Sequence, residues 1–553
     1  MAHEFVLQSS PSDAILERRL PVQKFEPCIW ADTFTAFSFD VQAQEERSKA
    51  IEALKEKVRD LLIAGGHNAL DDKLILIDTV ERLGLAYHFK QEIEEQLEKI
   101  ASNHSEHHDL YITALQFRIL RQNHYPVSSS VFNKFKGKDG KFDEMLSRDA
   151  KGLLSLLEAS QVRIHGEDIL EEGLVFATHH LNILAPTLEG PFKDQVNRAL
   201  EHPPHRGFSR IEARKYISFY ERDSSYNKLL LELAVLDFNY AQNLYRKELH
   251  DLSWWWKNID LKSKLPYARD RVVENYFWAL GVYFEPQNSL SRLALAKCTI
   301  ITAVMDDTYD NYATVEEADI FNEVIQRWDI NEIDRLPEYM KIVYKFIWNT
   351  YEELACEASK EGRSSVMPYI RETLKELSRG YNQELKWFMR MEVPTLEAYY
   401  SNTIITGTVF FSCAATLLGI KSASEQVFEW LNSRPKFIKA CSRVGRLLDD
   451  KGSHDREDRG GELLTAVTMY MKQHGATKQE TLNKFAEIVK DSWKDFYAEW
   501  CNLPSMVSFD AANVFLGFVQ MSETLYMNSR DGVTNPNFLA PDIATILLDP
   551  IVI

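Results

Sequence analysis

Apolar residues recur along this chain at three- and four-residue intervals, with charged residues on the opposite face. Ile51–Leu62, Lys73–Arg82, Phe89–Ile100 and Leu110–Arg121 all read this way, which is the period of a helix that buries one stripe. No sustained polar–apolar alternation predicts a strand, and no glycine-rich phosphate loop occurs. Glycine and proline are sparse and mark joints at Pro203-Pro204, Gly475-Ala476-Thr477 and Pro504. The stretch Pro21–Trp30, with Phe25 and Pro27, reads as extended chain. An all-α protein is expected. At 553 residues it exceeds one ordinary core, so two helical domains are predicted, residues 1–225 and 226–553.

Two runs break the amphipathic pattern. Leu293–Met305 is nearly free of charge and must be mostly buried, yet it runs straight into Asp306-Asp307-Thr308-Tyr309-Asp310. Ala398–Ile420 is uncharged over roughly the ~20 residues that a membrane span needs. Ser401, Asn402, Thr403, Thr406, Gly407, Thr408 and Ser412 dilute it, so a buried helix at the centre of an α-domain is predicted.

Acidic runs ordinarily solvate helix ends. Three aspartates closing a buried helix are costly unless cations or hydrogen bonds compensate them. Residues four apart share a helix face, so Asp306 and Asp310 can chelate one hard cation. Asp449, Ser453 and Glu457 repeat the device at i, i+4, i+8, with Asp307 and Asp450 as adjoining carboxylates. Oxygen-only ligation suits Mg²⁺ or Mn²⁺, and Mg²⁺ typically pairs a few carboxylates with substrate phosphates. The two clusters predict metal-binding walls facing a diphosphate. Arg269-Asp270-Arg271, in a loop or at a helix start, can turn both guanidinium groups on one anion, and Arg446 is a third candidate. Trp278 can stabilise a passing cation through its ring face. Trp254-Trp255-Trp256 reads as packing, and His104, His107, His108, His202 and His205 read as polar loop and joint positions without zinc spacing.

Composition narrows the partners. A net charge of −18 argues against nucleic acid or an anionic membrane, and an acidic protein handling an anionic substrate needs cations between them. The six cysteines show no CxxC and no disulfide framework, which fits a reducing, cytoplasmic setting. Met1–Val22 carries Glu4, Asp13 and Glu17, unlike acid-poor transit peptides.

Taken together these motifs resemble those of the plant class I terpene synthases, cytosolic sesquiterpene branch, over essentially the whole chain. Asp306–Asp310 matches DDxxD, Asp449/Ser453/Glu457 matches DDxxSxxxE, and Arg269-Asp270-Arg271 matches RxR. Further family-like strings are Val162–Leu170, Tyr276–Pro286 and Leu336–Lys341. The resemblance implies a vestigial N-terminal helical domain whose first segment caps the site, since no DxDD string occurs. It also implies a C-terminal class I helical bundle around a central cavity. By resemblance about three Mg²⁺, replaceable by Mn²⁺, bind farnesyl diphosphate. Asp306 and Asp310 hold two of them, and Asp449, Ser453 and Glu457 hold the third. Arg269, Arg271 and Arg446 take the diphosphate. Trp278, Tyr526 and Asp531 match pocket and lid positions, and Thr406, Gly407 and Thr408 match a helix break whose carbonyls face the cation. A monomer is implied.

The chain departs from the family pattern in places. Arg18-Arg19 precedes Trp30 with ten intervening residues rather than eight, outside the tandem-arginine motif of the monoterpene branch, which favours a farnesyl over a geranyl substrate. Gly460 stands where a basic residue is usual, with Arg456 and Arg459 nearby, and Gly407 stands where Thr or Ser is usual. Two rival readings are a chain-elongating prenyl transferase, which calls for two DDxxD motifs, and a helical scaffold that binds calcium or partners through its acidic patches.

Overall fold

A computed structural model describes residues 25–63, 70–102, 109–390, 392–457 and 465–552, with backbone alone at 396 and 455–457. Arg18, Arg19, His104, His107, His108, Arg459 and Gly460 lie outside the described residues. Within them the chain is helical, and the one isolated β-bridge joins Lys136 and Phe142. The amphipathic stripes form Val41–Ile63, Leu70–Arg82, Lys90–Ser102 and Leu110–Gln122. In the first of these, Ile51, Leu54, Val58 and Leu62 make the buried face. Further helices run to Ser209–Glu221, after which a short turn leads into the 32-residue helix Lys228–Ile259. Asn227 starts that helix by accepting from the Leu229 amide at 2.9 Å, satisfying an end donor that would otherwise be orphaned. Capping boxes at Thr314/Glu317 and Thr477/Glu480 start two later helices in the same way.

The helices after Lys228 surround a cavity. Ser289–Asn311 packs against Val272–Val282, Met367–Met389 and Val409–Leu417, while Lys436–Glu457 packs against Phe509–Leu525. Close approach needs small residues. A Cβ on Gly517 would stand 2.0 Å from the Val282 carbonyl oxygen, so only glycine lets these two helices touch there. Ala398–Ile420, read from its composition as a buried helix, is two, Leu396–Thr406 and Val409–Leu417, broken at the Thr406–Thr408 position that the resemblance implied. Thr408 sits between them at φ 64°, a left-handed conformation that a β-branched residue adopts only at a cost of about 1–3 kcal/mol.

Two expectations about surface positions are corrected. His202 is buried and its imidazole is pushed down to about 3 by desolvation. His205 is likewise held well below its usual range by burial. His202 is therefore an interior position, while Pro203 and Pro204 themselves are half-buried. The tryptophan triplet packs as expected, with Trp255 and Trp256 against Phe346 and Trp254 exposed, and it also hydrogen-bonds: Trp255 donates to Glu353 at 2.9 Å and Trp256 donates to Asp270 at 3.0 Å. All six cysteines are free thiols.

A buried ionic cluster joins the first helices to Lys228–Ile259. Asp237 accepts from Arg210 at 3.0 Å and pairs with His88 at 2.9 Å, with the Tyr87 hydroxyl as a third partner. Burial raises the carboxyl, and Arg210, His88 and Tyr87 together outweigh it, so the group stays below its usual range. Its folded pKa is thus below the unfolded one, and its stabilisation is present above the ordinary carboxylate range and lost as pH falls through the folded value. Arg210→Met should cost about 3–5 kcal/mol by leaving Asp237 buried without its main counter-charge. Arg210→Met/Asp237→Leu should recover most of that loss. Thermal unfolding of the two variants checks this, and equal melting temperatures would overturn it.

Candidate active site

The last turns of two helices, Ser289–Asn311 and Lys436–Glu457, bring the two acidic clusters to one cavity of about 290 Å³. A helix C-terminus carries the negative end of the backbone dipole, so carboxylates placed there need compensating cations. Among the described residues, six carboxyl side chains line the cavity (Glu274, Asp306, Asp310, Glu384, Asp449 and Asp531) against three guanidinium groups (Arg269, Arg271 and Arg446). A larger cleft of about 780 Å³ between the early and late helices contains none of the predicted site residues.

On the first wall, one carboxylate oxygen from each of Asp306, Asp307 and Asp310 lies within 4.8 Å of the others. Asp310 is exposed, Asp306 half-buried and Asp307 wholly buried. Arg269 grips the inner pair: its backbone amide and Nε donate to Asp307 at 2.7 and 2.9 Å, and Nη2 donates to Asp306 at 2.6 Å. Asp307 faces Arg269 and lies outside the cavity lining.

The second wall repeats the arrangement. Asp449 lines the cavity 3.1 Å from Arg446 Nη1, and buried Asp450 accepts from Arg446 Nε at 2.9 Å and from the Tyr399 hydroxyl at 3.4 Å. Burial pushes the Asp450 carboxyl up, with Arg446 opposing. Ser453 is wholly buried one turn on, and its Oγ has no hydrogen-bond partner among the described residues. Such an orphan costs about 1–3 kcal/mol. The side chains of Arg456 and Glu457 lie outside the described residues. Orphaned Ser453 oxygen, clustered carboxylate oxygens and the excess of acid over guanidinium all fit an oxygen-ligated divalent cation.

The floor is aromatic. Trp278 lines the cavity and meets Phe518 edge-on, centroids 5.5 Å apart at 72°, and its Nε1 is buried without a partner. Thr406, Gly407 and Thr408 line the cavity at the helix break, with Thr406 donating to Glu384 at 2.7 Å. Burial pushes the Glu384 carboxyl up to about 7. Tyr526 hydrogen-bonds Asp449, and burial followed by that carboxylate holds its phenol well above the usual range. Asp531 accepts from the amides of Val533 and Thr534 at 3.1 and 2.9 Å, folding a turn over the mouth. Arg271 differs from its neighbour: its Nη donors go to backbone carbonyls of Asp270, Glu26 and Thr534.

Residues 29–200 match the terpene synthase N-terminal domain, and residues 257–495 match the metal-binding domain of the terpene synthase family. The chain belongs to the terpene synthase family. It is 46% identical over 539 residues to gamma-cadinene synthase of Ocimum basilicum, spanning 97% of this chain and 98% of that relative. Identity to tau-cadinol synthase of Lavandula angustifolia is 44%, over 96% and 97% of the two chains. Isoprene synthase of Populus x canescens, solved with three Mg²⁺ ions and dimethylallyl-S-thiolodiphosphate, shares the fold at a TM-score of 0.85. That match has 32% identity and covers 92% of this chain and 98% of that one. This terpene synthase is therefore a metal-dependent lyase of prenyl diphosphates with the all-α fold of its family.

Sequence reasoning missed one wall. Tyr381, Glu384, Leu385, Trp387 and Phe388 of the Met367–Met389 helix all line the cavity. The available signal was Glu384, a carboxylate inside the stripe Tyr381, Leu385, Phe388.

Packing behind the second wall is tight at Gly452, where a Cβ would stand 2.7 Å from the Arg530 carbonyl and 3.1 Å from Tyr526 Cδ1. Gly452→Ala gains about 1 kcal/mol of helix propensity but must displace the segment that carries Tyr526. Melting temperature should hold while turnover falls by up to about 100-fold, the cost of a small misplacement in a catalytic site. Wild-type turnover would show the segment to be dispensable.

Proposed function

We propose that this chain is a sesquiterpene synthase that ionises farnesyl diphosphate with Mg²⁺, closes the resulting cation into a cyclic sesquiterpene and releases diphosphate. The observation that carries this reading is the meeting of two acidic helix ends across one cavity whose floor is aromatic. Relatives named for cadinene and cadinol, both sesquiterpenoids, support farnesyl over geranyl diphosphate. Residues 226–553 form the catalytic domain in this reading, and residues 1–225 carry no chemistry beyond covering the site. The enzyme works as a cytoplasmic monomer.

Asp306 and Asp310 hold two cations, and Asp449, Ser453 and Glu457 hold a third, with Mn²⁺ able to replace Mg²⁺. When bound, these cations supply the charge that stabilises the departing diphosphate. Asp307 and Asp450, turned away from the cavity, position Arg269 and Arg446. Those two guanidinium groups donate to the diphosphate oxygens from fixed positions, which is where electrostatic preorganisation is most effective. The hydrocarbon chain lies over Trp278 and Phe518, whose π faces stabilise positive charge and offer no competent nucleophile. Carbonyls at the Thr406–Thr408 break face the same charge. The Tyr526 hydroxyl, donating to Asp449, keeps its proton throughout and closes the mouth together with Asp531. Water is thereby kept from the cation.

Incubation of purified protein with farnesyl diphosphate and Mg²⁺ should yield volatile sesquiterpenes by mass spectrometry. Diphosphate release without any terpenoid would sink the reading. Asp306→Ala should lower turnover by orders of magnitude, where each tenfold is about 1.4 kcal/mol, yet keep its fold because Asp307 still holds Arg269. Ser453→Ala should raise the Mg²⁺ concentration needed more than it lowers the saturated rate, and superimposable Mg²⁺ titrations would remove Ser453 from the ligand set.

Trp278→Leu deletes the ring face and leaves the acidic walls intact. Diphosphate release should persist better than cyclisation, with acyclic products taking over. Tyr526→Phe keeps the ring and should leave early cyclisation unchanged. An unaltered product profile for Trp278→Leu would place the indole outside cation stabilisation. Helicity must be verified, since losing a large aromatic costs about 3–5 kcal/mol.

A further inference from the structure

Arg271 is the least expected of the three cavity arginines. It is only 2% exposed, and burial lowers its guanidinium from the usual range. Arg269, two residues earlier, meets carboxylates, whereas Arg271 Nη2 donates to the Glu26 carbonyl at 2.7 Å and the Thr534 carbonyl at 3.0 Å. Nη1 donates to the Asp270 carbonyl at 2.8 Å. These partners belong to separate pieces of chain: the N-terminal segment, the turn folded by Asp531, and the loop carrying Arg271 itself.

The surroundings make that loop a fixed plate. Trp256 Nε1 donates to Asp270 Oδ1 at 3.0 Å, turning the middle residue outward so that the flanking arginines turn in. The N-terminal segment lies on the plate at two further points. The Phe25 ring sits 4.9 Å from the Arg269 guanidinium, and Trp30 Nε1 donates to Glu274 at 2.8 Å. Val533, Thr534 and Leu539 line the cavity, so the turn that Arg271 grips is part of its wall.

We propose that Arg271 is a positioning residue that clasps the N-terminal segment to the 531–534 turn, rather than a diphosphate ligand, and so sets how far water is kept from the carbocation. The inference rests on the sesquiterpene synthase reading for its chemical consequence and on geometry alone for the clasp. A final cation that loses a proton becomes a hydrocarbon. If water enters, its oxygen forms a C–O bond, the proton leaves to solvent, and the product is an alcohol. A loosened clasp shifts the balance toward the alcohol.

Arg271→Met keeps the side-chain length and removes every donor. Hydrogen exchange on the substrate-free, full-length protein should show amides of residues 26–30 and 531–535 exchanging about tenfold faster, the loss expected for charge-assisted bonds. Amides of residues 295–305 should be unchanged. With farnesyl diphosphate and Mg²⁺, the alcohol share of the products should rise several-fold, while diphosphate release slows far less than in Arg269→Met. Trp30→Phe, which loosens the segment at its other anchor, should shift products in the same direction. Unchanged exchange in Arg271→Met, with release slowed as much as in Arg269→Met, would overturn the clasp and make Arg271 a diphosphate ligand. The exchange measurement needs no turnover, so it tests the clasp even if no terpene forms.

Discussion

Carboxylates gathered at the negative ends of two helix dipoles are the constraint on which the rest of this site depends. Desolvation and the backbone field both oppose such groups, and Asp307 and Asp450 are wholly buried. The same solution is used on each wall. One aspartate of each motif turns inward to an arginine, Asp307 to Arg269 and Asp450 to Arg446. Its neighbour, Asp306 or Asp449, stays on the cavity. The buried acid fixes the guanidinium groups, which also pair with Asp306 and Asp449 on the cavity side. In the proposed reaction the same two arginines would meet the anionic substrate.

Below that charged mouth the chemistry changes within one cavity. Trp278 and Phe518 form an edge-to-face pair, and the Thr408 kink interrupts an otherwise uncharged run of residues. A backbone held in an unfavourable conformation inside a helix pair indicates that the surrounding packing overdetermines it. Burial pushes the Glu384 carboxyl up to about 7, so its environment resists full negative charge there. The cavity thus grades from ionic to apolar, as a reaction that separates an anion from a cation requires.

Much of this was legible in the chain. The all-α class followed from helical periodicity, because a helix must bury one stripe wherever it packs. DDxxD and the Asp449/Ser453/Glu457 spacing were legible because i, i+4 geometry is local. Less legible was the function of partners distant in sequence. That the arginine pair could reach one anion was legible, but not that Arg269 takes carboxylates and Arg271 backbone carbonyls. The wall built from Tyr381, Glu384 and Phe388 gave only a weak signal, since an amphipathic stripe looks the same whether it faces a core or a cavity.

What the sequence by itself determined is the set of local geometries: which residues are helical, which oxygens share a face, and where a buried run ends in acid. Family membership is legible there too, because those motifs are short and contiguous. Tertiary structure alone decided which aspartate of each motif faces inward, that His202 beside the proline joint is buried, and that Glu26, Asp270 and Thr534 meet at one guanidinium. The physical reason is separation along the chain. Glu26 and Thr534 lie 245 and 263 residues from Arg271, and backbone carbonyls carry no residue identity, so no pattern of side chains can announce them.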